Sequence, residues 1–134
     1  NRYHIPCIIY APQLVKPAIE SRLVSQIDLA PTILGLMNLN YTSRFFGYDV
    51  YNMTPGNERA FISTYQDMGY VKDGKLVILS PQQKVQQFKP DFTTGANVQM
   101  AGSAELINEA IAWYQGASFQ YKTGRYKSVK QVKP

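Results

Sequence analysis

The tetrapeptide Lys72-Asp73-Gly74-Lys75 lies between Gly69-Tyr70-Val71 and Leu76-Val77-Ile78-Leu79, and it constrains the fold more than any other stretch. Asp-Gly between apolar runs is the strongest short-range signal for a β-hairpin, so the two flanking runs are expected to pair antiparallel. Ala60 to Tyr65 reads as a strand ahead of this hairpin, Ser80-Pro81 closes the strand after it, and Lys84 to Phe88 alternates as a fourth. The middle of the chain therefore reads as an antiparallel meander, not as further βαβ units. Pro90 to Gly102 reads as a polar, glycine-containing link. Ser103 then offers an N-cap for a final helix, with Glu105 placed near the positive end of its dipole. Leu106, Ile107, Ala110, Ile111, Tyr114 and Ala117 mark one apolar face at helical spacing. Trp113 and Phe119 broaden that face as core aromatics, and Gly116 weakens the helix locally.

The amino-terminal part has a different character. Ile5 to Tyr10 is a nearly continuous apolar run closed by Ala11-Pro12, the pattern of a strand buried on both faces of a parallel sheet. Gln13 to Arg22, bracketed by Pro12 and containing Pro17, reads as a surface loop. Asp28 is expected to cap a helix, with Pro31 in its first turn and Ile33, Leu34, Leu36 and Met37 along it. On that reading Asp28→Ala removes about 1 kcal/mol of stability, the usual worth of a cap. Asn38 to Asn40 end the helix, and the irregular Thr42 to Val50 follows, with Phe45 and Phe46 as packing anchors. A strand followed by a helix is half of an α/β unit, so a chain that opens inside such a strand reads as a piece of something longer.

An apolar fraction of 45% fits a globular chain of 134 residues, and no apolar run approaches the roughly 20 residues of a membrane span. The formal charge of +5 is local. Lys122, Arg125, Lys127, Lys130 and Lys133 supply five of the fourteen basic residues, and the remaining nine balance the nine acidic ones. A basic tail of this kind is expected to be a solvated, frayed terminus. Tyr121 and Tyr126 lie in it without any nucleic-acid module around them, so nucleic acid is not an expected partner.

The chemistry in the sequence is sparse. Cys7, the single cysteine, sits inside the apolar run and reads as a small core hydrophobe. His4, the single histidine, would stand at the amino end of its strand, whereas ligands of α/β sheets gather beyond the carboxyl ends. Asp28, Asp49, Asp67, Asp73 and Asp91 form no spacing that suits a metal cluster, and no phosphate-binding glycine loop or Gly-x-Ser-x-Gly occurs.

The stretch His4-Ile5-Pro6-Cys7-Ile8-Ile9-Tyr10-Ala11-Pro12 is followed by Ser25-Gln26-Ile27-Asp28-Leu29-Ala30-Pro31-Thr32-Ile33-Leu34-Gly35-Leu36. Together they resemble the sulfatase-type domain of lipoteichoic-acid synthases and related phosphoglycerol transferases, within the alkaline phosphatase superfamily. In that family a buried strand of the form Ile-Pro-Leu-Ile-Ile-Tyr-Ala-Pro precedes Gln-x-Asp-x-Ala-Pro-Thr-x-Leu. Phe45-Phe46-Gly47-Tyr48-Asp49-Val50 is similar to the Phe-Phe-Gly-Arg-Asp segment that comes next, with Tyr48 in place of the usual Arg. Phe61 to Tyr70 and Leu76 to Pro81 are similar to the C-terminal sheet region of the bacterial branch.

The resemblance implies an α/β fold: the C-terminal part of an alkaline-phosphatase-like α/β/α sheet, plus a small antiparallel β-meander with a terminal helix. Residues 1–57 would belong to the sulfatase-like part, 58–121 to the meander and helix, and 122–134 to the basic tail. The family's nucleophile lies far upstream, and its metal ligands include an Asp-His pair just before the strand that matches Ile5 to Tyr10. Neither occurs here, so no catalytic, cofactor-binding or metal residue is assigned in this chain. Without them, charge that develops at phosphorus or sulfur has no stabiliser. The implied parent is a Mn²⁺- or Mg²⁺-dependent phospho- or sulfo-ester transferase or hydrolase outside the cytoplasm, anchored in the inner or plasma membrane. This chain would be inactive alone, with the upstream part of the same protein as its first partner. The alternative is a stand-alone binding or assembly domain whose basic tail meets anionic lipid or glycan.

Overall fold

The computed structural model describes residues 3–127. Its core is a five-stranded antiparallel sheet in which strand order equals chain order: β1 (Arg59–Ser63), β2 (Met68–Lys72), β3 (Lys75–Ser80), β4 (Lys84–Pro90) and β5 (Asn97–Gln99). Asp73 and Gly74 have φ of 49° and 67°, so the β2–β3 hairpin turns through the two positive-φ residues that its sequence supplies. That turn sets the register, with Lys72 opposite Lys75 and Tyr70 opposite Val77.

β5 lies inside the stretch expected to be a polar link. Asn97-Val98-Gln99 is exposed throughout and carries no apolar alternation; backbone pairing with Phe88, Lys89 and Pro90 makes it a strand. The connection is closed by Asp91, whose carboxylate accepts hydrogen bonds from the Thr93 and Thr94 amides and the Thr94 hydroxyl.

Helix α2 (Ala104–Lys122) covers one face of the sheet. Leu106 and Ala110 are buried against Tyr70 and Val77, with Phe61, Leu79, Ile107 and Trp113 around them. Each large apolar side chain so buried contributes on the order of 1.5–3 kcal/mol. Phe61 is the hub of the aromatic packing, its ring 5.3 Å from Tyr70, 5.4 Å from Trp113 and 5.8 Å from Tyr114. Gln87, buried under the helix start, accepts a hydrogen bond from the Ser103 amide through Oε1 and from the Met100 amide through its carbonyl. The helix ends in a C-cap at Thr123 followed by Gly124 at φ 68°, the usual use of glycine there.

The basic tail is ordered as far as it is described. Lys122 is still helical, the Tyr121 and Tyr126 rings stack at 5.6 Å, and the Arg125 guanidinium lies 5.0 Å from the Phe119 ring centroid. Lys122, Arg125 and Lys127 are themselves exposed to solvent; Lys130 and Lys133 lie outside the described residues.

Ahead of the sheet, a 3-10 turn (Gln26–Asp28) leads directly into α1 (Leu29–Leu36). Asn38, at φ 52°, ends α1 with bonds from its own amide to the Gly35 carbonyl and from the Leu39 amide to the Leu34 carbonyl, a Schellman arrangement. Ile5 to Tyr10, expected as a buried strand, joins no sheet: Ile8 is 90% and Tyr10 88% exposed. Cys7, expected in the core, is likewise exposed. A strand buried on both faces needs parallel neighbours, and every strand among the described residues belongs to the meander.

Tyr114 ties α2 to β1 and β2, its hydroxyl donating to the Gly69 carbonyl at 2.8 Å. Burial pushes that hydroxyl up to about 12, and burial, followed by the hydrogen bond to Glu109, raises Tyr70 as well. Both folded values exceed the ordinary phenol value of about 10, so their contribution is complete below about pH 10 and lost as pH climbs towards the folded values. The denaturation midpoint is therefore expected to hold up to about pH 9 and to fall steeply above about pH 10. Tyr114→Phe should lower stability by about 1 kcal/mol at neutral pH and flatten part of that alkaline fall. Urea titrations across the pH range measure both effects.

Candidate functional site

The polar centre of the molecule is an ion pair that closes the amino-terminal segment onto β1. Asp28 is 1% and Arg59 2% exposed. The guanidinium grips the carboxylate with two parallel bonds of 2.9 Å, and the second terminal nitrogen also donates to the Phe46 carbonyl at 3.0 Å. Asp28 accepts from the Ser25 and Tyr48 amides as well, both at 2.8 Å. Its carboxylate thus meets four donors, which is how a buried charge is tolerated. Around Arg59 stand three rings, with Tyr48 at 4.3 Å, Trp113 at 5.4 Å and Phe61 at 5.5 Å from the guanidinium carbon.

This geometry revises the expectation for Asp28. Its side chain does not cap α1; it reaches back to the Ser25 amide, the reciprocal half of a capping box, and forward to Arg59 and Tyr48. Thr32, one turn on and also buried, donates from its hydroxyl to the Asp28 carbonyl at 2.6 Å and accepts from the Val50 amide at 3.0 Å. Asp28 and Thr32 thus fasten the Tyr48–Val50 backbone at two points. Gly47, just before them, lies so close to the Ile27 backbone that a Cβ would overlap the Ile27 carbonyl.

The pair is sealed by its partners and offers no free acid, base or nucleophile. His4 and Cys7 are exposed and stand apart from it. No group of three or more His, Cys, Asp or Glu side chains that could hold a metal ion occurs among the described residues. Sequence reading placed Asp28 in a structural role but missed Arg59 as its partner. The only signal was an arginine opening a strand, and nothing local joins positions 31 residues apart.

A second arrangement is open to solvent. Arg44, Gly116, Phe119, Gln120 and Arg125 line a cleft of about 380 Å³ between the irregular stretch before Phe45 and the last turns of α2. It brings two guanidinium groups and an aromatic face together without any carboxylate in its lining. The charge of such a lining suits an anion. Arg44 and Arg125 gave no sequence signal of a shared site, because the fold alone joins them.

Removing one member of a buried pair strands the other charge, so Asp28→Ala and Arg59→Ala are each expected to lose about 3–5 kcal/mol. Urea denaturation of the single and double variants measures this, and the double variant should fall well short of the sum. Gly47→Ala should lose about 1–3 kcal/mol through overpacking. It should also shift the emission of Trp113, the sole tryptophan, which packs on Phe46 and Tyr48.

No protein-family model matches the sequence. The structure is similar to that of a protein in the alkaline phosphatase superfamily from Vibrio parahaemolyticus, with a TM-score of 0.80 and 28% sequence identity. The match covers 86% of this chain and 28% of that one, so the chain spans little more than a quarter of its neighbour's length. The mixed α/β arrangement of a five-stranded antiparallel sheet and a C-terminal helix matches a fragment of an alkaline-phosphatase-like fold.

Proposed function

We propose that this chain is the C-terminal part of a metal-dependent phospho- or sulfo-ester transferase or hydrolase, with phosphoglycerol-type transfer outside the cytoplasm as the favoured reaction. The observation that carries this reading is the likeness to an alkaline phosphatase superfamily protein across 86% of the chain. The sulfatase and lipoteichoic-acid-synthase character, the Mn²⁺ or Mg²⁺ ion and the membrane-anchored parent rest on the sequence resemblance. No described helix is long and apolar enough to cross a membrane, so an anchor would belong to sequence outside those residues.

In this reading the chain's work is architectural. Two apolar surfaces lie uncovered: the Ile5–Tyr10 segment, and Leu29, Ile33 and Met37, at i, i+4 spacing along α1 and onto its C-cap. Contiguous exposure of this kind marks a surface that something covers. A parent about three times as long as this chain supplies that cover: upstream strands pair with Ile5–Tyr10, and their sheet packs beneath α1. The reacting groups then come from the upstream part, and this chain closes the fold behind them.

The test compares this chain with a longer protein that includes its upstream sequence, using p-nitrophenyl phosphate and p-nitrophenyl sulfate with Mn²⁺. The chain alone is expected to show no turnover, and the longer protein a turnover abolished by EDTA. Amide exchange in the same two proteins gives a second readout. Ile8 and Ile9 should exchange fast in the chain alone and become protected in the longer protein, while Val77 and Ile78 stay protected in both. Turnover by the chain alone, lost on substitution of one of its own residues, would overturn the proposal.

A further inference from the structure

The cleft between Arg44 and the end of α2 is a charged recess built from two stretches that hold no acid. Positions 29–48 and 110–134 contain no Asp or Glu; Arg44 enters from the first, and Gly116, Phe119, Gln120 and Arg125 from the second. Both arginines are exposed. The ion pairs among the described residues are Arg22 with Glu20, Arg59 with Asp28, and Lys72 with Glu109, so neither cleft arginine is neutralised by a described carboxylate. Lys122 and Lys127, also exposed, add charge of the same sign to this end of the helix.

Aromatic surface accompanies the charge. Phe119 is half exposed, and the Arg125 guanidinium rests on its ring at 5.0 Å. That contact limits the freedom of the guanidinium while its N–H edge stays free to donate. Tyr126, next in the chain, stacks on Tyr121 at 5.6 Å, and both rings are exposed. Phe45, beside Arg44, is exposed as well. Arginine and aromatic side chains are the types that concentrate in protein–protein contacts and carry much of their energy. Gly116 leaves the helix wall bare, and a Cβ there would meet nothing within 4 Å, so the recess has room for a projecting side chain.

From these residues we infer that the cleft is a docking site for an acidic, aromatic-bearing segment of a separate protein. Asp or Glu carboxylates of the segment take the guanidinium forks of Arg44 and Arg125, whose paired N–H groups match the two oxygens of a carboxylate. An aromatic neighbour in the segment lies over Phe119. Shape favours a polypeptide over a bilayer: a recess of about 380 Å³ admits side chains that project into it, whereas a flat lipid surface would meet only its rim. Charge favours a separate partner over the parent's own upstream part. Permanent interfaces are the more apolar kind, and the surfaces left for the parent, Ile5–Tyr10 with Leu29, Ile33 and Met37, are of that kind. A charged, open cleft suits an encounter steered by complementary charge. None of this depends on the ester chemistry of the parent.

The test is an NMR titration of the ¹⁵N-labelled chain with the peptide acetyl-Glu-Phe-Glu-Glu-amide and with its neutral counterpart acetyl-Gln-Phe-Gln-Gln-amide. Saturable shifts of the Gly116, Phe119 and Gln120 amides are expected with the acidic peptide alone, weakening as NaCl is raised. These two comparisons use the unaltered chain. Arg44→Gln and Arg125→Gln should each weaken binding about fivefold or more, and Arg44→Lys by less, since it keeps the charge and loses only the fork. Lys75→Gln, beside the other end of α2, should leave binding unchanged. Unchanged Trp113 emission shows that each variant remains folded. The longer protein that includes the upstream sequence should bind the acidic peptide as tightly as this chain does. Equal affinity for the neutral peptide, or for acetate or inorganic phosphate alone, would overturn the inference. So would a response confined to phosphatidylglycerol vesicles, or loss of peptide binding in the longer protein.

Discussion

The Asp28–Arg59 pair is the interaction on which the arrangement of the whole chain depends. Two ions with almost no exposure are unfavourable to bury. Four donors meet the carboxylate and both terminal guanidinium nitrogens are engaged, but Arg59 Nε has no partner among the described residues, so the mutual attraction does little more than offset lost hydration. What the pair contributes is position. Arg59 opens β1, Asp28 closes the turn that leads into α1, and the fork between them joins helix to sheet in one orientation. The rings of Tyr48, Trp113 and Phe61 come from three different parts of the chain and meet around the guanidinium. Shifting either element would strand a charge and disperse those rings.

The same pair gives a physical reason for two sequence patterns to occur together. In Asp28-Leu29-Ala30-Pro31-Thr32 the two polar residues stand one helical turn apart on one side, and they hold the Tyr48 and Val50 amides. Phe46-Gly47-Tyr48-Asp49-Val50 supplies those amides, a glycine thin enough to lie against Ile27, and the Tyr48 ring that faces Arg59. Tyr48 turns its face to Arg59 at 4.3 Å; a cation in its place would face another cation.

How much was legible follows from how local each signal is. The β2–β3 hairpin was readable because Asp73 and Gly74 carry their own backbone preference, and α2 because its apolar residues repeat at the helical period. β5 was not, since three exposed residues hold their place by backbone bonds alone. Ile5 to Tyr10 carries the pattern of an interior strand, yet among the described residues it is largely exposed and belongs to no sheet, so the pattern alone did not make it one. The Arg59 partnership and the Arg44–Arg125 cleft were invisible for a common reason: each joins side chains whose local sequence says nothing of the other. The alkaline-phosphatase-like fold came from the ordered motifs, and the structural neighbour agrees with it at the level of the superfamily.

A sheet whose strand order follows the chain has a consequence for how the molecule assembles. Each strand pairs with the one made just before it, through turns of a few residues, so little chain entropy is lost in closing each loop. Topologies dominated by such near-neighbour contacts are fast to form. The ion pair spans 31 residues and the Tyr114 bond to Gly69 spans 45, so both must wait for longer loops to close. The meander is thus the natural nucleus, with α2 docking onto it and the α1 segment locking down afterwards. During synthesis the order of emergence runs the other way: residues 3–58 leave the ribosome before any strand of the nucleus exists. The completed meander gives Ile5 to Tyr10 no strand to pair with, so among the described residues this apolar stretch stays the one most open to pairing with another chain.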